Sequence, residues 1–148
     1  MIRKAVGAIV FQKNQFLIAH KVSINTNKGK QKIKGEWDFI KGGVEENDRN
    51  LTDTLFRELE EETGSKEYRV VKEFDEKICF HFPDEIKMEI GYDKQETIMF
   101  LVEFLGDRNS LNPNDHEIKE LKFIDIDKVA EILTHQVTKD FFKRHLIV

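Results

Sequence analysis

Cysteine is almost missing from this sequence: Cys79 is the one cysteine among 148 residues. That excludes an intrachain disulfide and any zinc site built from several cysteines. The five histidines are scattered, with no pair at metal-binding helical spacing, so zinc is not expected through imidazole either. Long apolar runs are missing too. The longest, around residues 5–10 and 98–102, are strand-sized and well short of the roughly 18 residues of a membrane-crossing helix, so no membrane partner is expected. The opening Met1-Ile2-Arg3-Lys4-Ala5-Val6 lacks the apolar stretch and cleavage site of a secretory signal, and the expected location is the cytoplasm. With two prolines, no Pro/Gly/Ser-rich linker and no repeat of fixed period, the chain reads as one domain over residues 1–148. Nor is there any excess of positive charge. A net charge of −4 gives no overall attraction for nucleic acid, so phosphate binding must come from local lysine clusters or from a metal.

What is present is a heavily charged chain, 35% Asp, Glu, Lys and Arg, that can still bury a sizeable core. Two apolar runs at residues 5–11 and 16–19 flank Gln12-Lys13-Asn14-Gln15 and read as a β-hairpin. Residues 22–35 turn polar and lysine-rich and read as a surface loop. Trp37 and Phe39 then alternate on one face of a short strand, which places them in the core, and the strand stops at Gly42-Gly43. Leu51, Leu55 and Leu59 recur every four residues, with Asp48, Asn50 and Thr52 as candidate N-caps and Gly64 as the C-cap, which predicts a helix. Strands are expected within residues 67–82, 97–105 and 121–126, and two closing helices at residues 129–133 and 137–146. The order predicts an α+β fold, an α/β/α sandwich with a mixed sheet flanked by helices.

On the predicted helix, Glu58, Glu61 and Glu62 stand at i, i+3 and i+4, so three carboxylates leave one face while the leucines pack inward. An acidic helix face is by itself most simply a solvated surface. Two carboxylates about 6 Å apart in a partly shielded site, however, repel by roughly 2 to 3 kcal/mol, and an all-oxygen cluster suits Mg²⁺ or Mn²⁺. Gly42 and Gly43 upstream let the backbone come close to a ligand, and Arg57 can brace the loop through its carboxylates or carbonyls.

The stretch from Gly43 to Gly64 resembles the Nudix box, G-x5-E-x7-R-E-U-x-E-E-x-G-U, where U is aliphatic. Gly43, Arg57, Glu58, Leu59, Glu61, Glu62 and Gly64 match. Two positions depart: the first box glutamate falls on Arg49, with Asp48 one place early, and the closing aliphatic is Ser65. In the family that first glutamate mainly supports the loop, so the departure bears on loop geometry and leaves the metal ligands intact. The resemblance implies that Glu58, Glu61 and Glu62 hold divalent cations, Mg²⁺ or alternatively Mn²⁺, on a diphosphate, with Glu61, Glu117 and Arg57 in the catalytic set. Glu117, six residues before Phe123, has the spacing at which several family members bring a fourth ligand or a general base to the metal.

Other residues carry weaker signals. Trp37-Asp38-Phe39-Ile40-Lys41-Gly42 resembles the Trp-x-Phe-Pro-Lys-Gly start of dinucleoside tetraphosphate hydrolases and bacterial RNA pyrophosphohydrolases, with Ile40 in place of proline. Lys41 is either a phosphate contact or solvent-exposed, and Tyr92 either stacks on a base or is an exposed loop tyrosine. Lys41, Gly42, Gly43 and Tyr92 form the expected substrate-binding set. His116 reads as a loop residue, and Lys21, Lys28, Lys30, Lys32 and Lys34 read as a flexible solvated loop that can attract polyphosphate. The expected activity is hydrolysis of a pyrophosphate bond in a small nucleotide, foremost a dinucleoside polyphosphate. An RNA 5′ end is the alternative substrate, and a Nudix-like nucleotide-binding module without catalysis the alternative of another class. Monomer and homodimer both remain open.

Overall fold

The computed structural model describes residues 1–26, 29–113 and 117–147, with side chains except those of residues 24–26 and 29–31. Seven strands and four α-helices follow in the order β1 (Ile2–Gln12), β2 (Gln15–Thr26), β3 (Gly29–Asp38), β4 (Ile40–Gly43), α1 (Leu51–Thr63), β5 (Tyr68–His81), α2 (Asp84–Ile90), β6 (Lys94–Phe104), β7 (Ile118–Asp125), α3 (Ile126–Ile132) and α4 (Gln136–Leu146), among the described residues.

The sheet is mixed, as the α+β reading requires. β1 runs parallel to β6 from Ile2↔Lys94 to Phe11↔Glu103 and antiparallel to β4 from Ala5↔Gly43 to Ala8↔Ile40. β2 lies antiparallel to β3 on one side and β7 on the other. β1 and β2 themselves pair only at their turn, through Phe11↔Phe16 and Gln12↔Gln15. They splay beyond it, and the chain crosses from β2's neighbour β3 to β1's neighbour β4 at Phe39. That crossing sets the site: it brings Gly42 and Gly43 alongside the N-terminal half of β1.

Because both faces of β1 are covered, its apolar residues run without interruption. Val6, Ala8 and Val10 join Leu17, Leu55 and Leu59 in a core on the α1 side. Ile9 joins Phe16, Phe39, Met99, Phe141 and Phe142 in a second core on the α4 side. Trp37 packs against that second core, where the alternation placed it together with Phe39. A bulge in β5 between Glu73 and Lys77 docks α4: Phe74 meets Phe141 edge-on at 5.3 Å, and Glu76 accepts from Arg144 at 2.7 Å.

One expectation needs correction, and one helix adds to those expected. Residues 22–26 and 29–35 are not a loop: β2 and β3 continue as an antiparallel ribbon to Thr26↔Gly29. Strand pairing satisfies the backbone whatever the side chains are, so a two-stranded ribbon needs no apolar alternation to form. Helix α2 was not foreseen; none of its residues is buried, so it carries no amphipathic signal.

Candidate active site

Helix α1 is specified at both ends. Asn50 caps it, its side chain accepting from the Asp53 amide at 2.8 Å, and Gly64 ends it at φ 76°, donating to the Glu60 carbonyl. With Leu55 and Leu59 fully buried, the acidic face has one possible orientation, toward β4 and β2. Glu58 lies on the Gly42 backbone so closely that a Cβ at Gly42 would collide with its carboxyl group. Glu62 is 2% exposed, while the Glu61 side chain is 51% exposed.

Arg57 ties this face to the loop before the helix. Its Nη1 lies 2.9 Å from Glu58 Oε1 and 3.6 Å from Glu61 Oε1. Its Nη2 donates to the Gly43 carbonyl at 3.1 Å and to Asp48 Oδ2 at 2.9 Å, and its Nε donates to Asp48 Oδ1 at 3.2 Å. Asp48 Oδ2 also accepts from the Glu45 amide and the Thr54 hydroxyl, each at 2.8 Å. These bonds hold the Asp48 carboxyl far below its usual pKa, with Arg57 as the largest cause, and hold the Arg57 guanidinium well above its own. With its donors so engaged, Arg57 braces the loop against the helix, as its place beside the carboxylates suggested. The two glycines also make room for side chains of the site. Gly42 makes room for Glu58, and a Cβ at Gly43 would lie 2.7 Å from Nη2 of Arg3.

Arg3 is a site neighbour that spacing alone did not reveal. It pairs across the sheet with Gln95, and its charge draws the Glu58 pKa down. Lys21 is a second. β2 bulges at residues 20–23 against both of its partners, a device that re-aims side chains. Burial works to lower the Lys21 pKa, but Glu62, Asp38, Glu117 and Glu36 outweigh it and hold it raised. Lys21 therefore links Glu117, whose carbonyl accepts from the Val22 amide at 2.9 Å, with the C-terminal end of the acidic face.

Lys41 is neither solvent-exposed nor turned toward α1. It is 8% exposed, lies 3.3 Å from Asp38 Oδ2, sits 4.5 Å over the Phe80 ring and reaches Thr138 of α4. Gly7, its cross-strand partner, leaves the space: a Cβ there would lie 3.2 Å from Lys41 Cγ. Burial opposes the Asp38 charge, but Lys41 and Lys21 keep its pKa low. Tyr92 is half-buried in the turn before β6, next to Asp93, whose amide donates to the Met1 carbonyl. His116 and Lys28 lie outside the described residues, as does the side chain of Lys30.

Among the described residues no three carboxylate, imidazole or thiol side chains close on one point. The donor set nevertheless suits a hard divalent cation: three carboxylates share one helix face, and one of them is already strained by its charge. The Glu58 carboxyl is pushed up to about 7, first by burial and then by Glu61, against the pull of Arg57 and Arg3. A carboxyl whose folded pKa exceeds its unfolded value of 4.5 adds stability below pH 4.5, and that stability is lost as pH rises through 7. The full loss amounts to about 3 kcal/mol. In EDTA the melting temperature of wild type should therefore fall from pH 5.5 to pH 8 more steeply than that of Glu58→Gln. Mg²⁺ should raise it more at pH 8 than at pH 6. Parallel curves for the two proteins would show that Glu58 carries no such charge.

Residues 1–145 match the family model of the NUDIX domain. RNA pyrophosphohydrolase of Bartonella bacilliformis is 28% identical over 97% of this chain and 86% of its own length. RNA pyrophosphohydrolase of Pelagibacter ubique is 30% identical over 89% of this chain and 82% of its own. The solved dihydroneopterin triphosphate pyrophosphohydrolase of E. coli shares the fold with a TM-score of 0.72 at 12% identity, over 97% of this chain and 94% of that one. The matched family and the braced acidic helix lead to one conclusion: the chain belongs to the Nudix family and is a pyrophosphate-cleaving hydrolase.

Proposed function

We propose that this enzyme, one domain over residues 1–148 acting in the cytoplasm, releases pyrophosphate from the 5′ end of triphosphorylated RNA with Mg²⁺. The observation that carries the choice of RNA is the β2–β3 ribbon. Lys21 sits beside Glu62 and Glu117, and Lys32 and Lys34 are exposed on the paired strand. A structured basic ribbon leading away from a carboxylate site is suited to following successive phosphates. The names of the relatives from Bartonella bacilliformis and Pelagibacter ubique agree with that choice.

Nudix hydrolases act with divalent cations; Glu58, Glu61 and Glu62 would hold such a cation, and when bound it would supply positive charge to offset that of the phosphoryl group. The chain's own residues do the rest. Glu61, open to solvent, and Glu117, just before β7, are the carboxylates assigned here to take the proton from the attacking water. Arg57 keeps Glu58 and the Gly43 carbonyl in fixed relation, and Arg3 and Lys21 flank the acidic face with positive charge.

The second reading, a dinucleoside polyphosphate substrate, rests on the Trp37 to Gly42 stretch. Competition between triphosphorylated RNA and a dinucleoside tetraphosphate at 50 and 200 mM salt separates the two. With three lysines engaged on a single strand, RNA kcat/KM should fall by roughly tenfold or more across that range. The loss should shrink in Lys21→Gln/Lys32→Gln/Lys34→Gln. A preference for the dinucleotide, with a shallow salt dependence for both substrates, overturns the RNA reading.

A further inference from the structure

The geometry points to Asp48 as the residue that positions the catalytic helix face, taking over from the neighbouring place that the Nudix box gives to glutamate. Arg49, which occupies that place, is turned away. It pairs with Asp53 at 2.9 Å on the outer surface, with its side chain 85% exposed. Asp48 instead points inward with its side chain 8% exposed. Its two oxygens accept four bonds, from the Glu45 amide, the Thr54 hydroxyl, and Nε and Nη2 of Arg57.

The two-point Arg57–Asp48 pair matters because a planar guanidinium held at two nitrogens has no freedom left to rotate. Its remaining bonds then land in set places: on the Gly43 carbonyl, which anchors the end of β4, and on Glu58, which lies in the slot beside Gly42. Asp48 is one methylene shorter than glutamate. The turn closed by the Asp48 amide on the Glu45 carbonyl at 3.0 Å carries its backbone inward by one residue, and so the shorter side chain reaches. Thr54 completes the support from the first turn of α1. Asp48 touches none of Glu58, Glu61 or Glu62 in these bonds, so it acts through Arg57.

This inference rests on the Nudix reading of the site, and its test separates the two. Asp48→Ala, Asp48→Asn, Arg49→Ala, Arg57→Ala and the Asp48→Ala/Arg57→Ala double variant are compared by kcat, KM and half-saturating Mg²⁺. The rise in melting temperature on adding Mn²⁺ to the metal-free protein gives a readout independent of turnover. Asp48→Ala should lower kcat and weaken cation half-saturation by roughly 10- to 100-fold with little change in KM for the nucleotide. Asp48→Asn, which keeps the shape and one acceptor, should fall between it and wild type and serves should the alanine variant not fold. Arg49→Ala should match wild type. In the double variant the Asp48 effect should largely vanish, since two residues that act as a unit are not additive. If wild type shows the Mn²⁺ increment but turns over no pyrophosphate substrate, the Nudix activity fails while the increment still reads Asp48. An unchanged kcat and cation half-saturation in folded Asp48→Ala overturns the inference. So does full additivity with Arg57→Ala, or an Arg49→Ala defect as large as that of Asp48→Ala.

Discussion

Glu61→Gln and Glu62→Gln should each reduce turnover at saturating Mg²⁺ by roughly 10² to 10⁴-fold. The two should differ in stability. Glu61 has half of its side chain in solvent and only a 3.6 Å approach from Arg57, and it repels Glu58, so its amide should melt at or slightly above wild type in EDTA. Glu62 is buried and is the largest carboxylate influence on Lys21. Removing its charge leaves a half-buried lysine with less compensation, and the melting temperature should drop. Turnover measured beside thermal melts in EDTA checks both statements. Near-normal turnover in both variants would remove the acidic face from the mechanism, and equal melting temperatures would remove the Lys21 link.

The contrast between Glu61 and Glu62 shows what linear spacing conveys and what it does not. Leu55, Leu59, Asn50 and Gly64 state a helix and its ends because those signals are local: a 3.6-residue period, a capping amide and a positive φ. The same period places Glu58, Glu61 and Glu62 on one face. It says nothing of how deeply each is sunk, because that depends on β4 and β2, strands from earlier in the chain. Lys41 is the sharper case. Spacing makes it the residue before two glycines, and only the pairing with β1 reveals that Gly7 opens a slot for it on the α4 side. The β2–β3 ribbon was illegible because its stability comes from paired backbone, to which a lysine-rich stretch gives no visible clue. Asp48 was legible as the residue one place early; which of two neighbours turns inward is settled by the turn on Glu45 and by Thr54, not by the count.

Arg3, Lys21 and Arg57 together show how the site tolerates its own charge. Three carboxylates meet three cations from β1, β2 and α1, yet the Glu58 carboxyl is still pushed up to about 7. The cations are therefore insufficient, and the remaining repulsion is what a divalent ion relieves on binding. A site of this kind is held in shape by its surroundings without being neutralised by them. That leaves its geometry exposed to small steric changes near Glu58.

Gly42→Ala tests that exposure most directly. The new methyl would collide with the Glu58 carboxyl group, and Gly42 lies in an ordinary strand, outside the glycines with positive φ, so the backbone accepts alanine without strain. The soft element is the glutamate side chain, which must leave its slot and with it the bond from Arg57 at 2.9 Å. The variant should therefore fold and melt close to wild type in EDTA, yet lose roughly 100-fold in kcat/KM and require more Mg²⁺. Gly43→Ala supplies the comparison. Its methyl meets the tip of Arg3, a long side chain free to move, and the loss should be markedly smaller. On a Glu58→Gln background Gly42→Ala should add little, because the group it displaces has already lost its charge. A Gly42→Ala enzyme with wild-type kcat/KM and Mg²⁺ requirement would mean that the position of Glu58 against β4 has no part in catalysis.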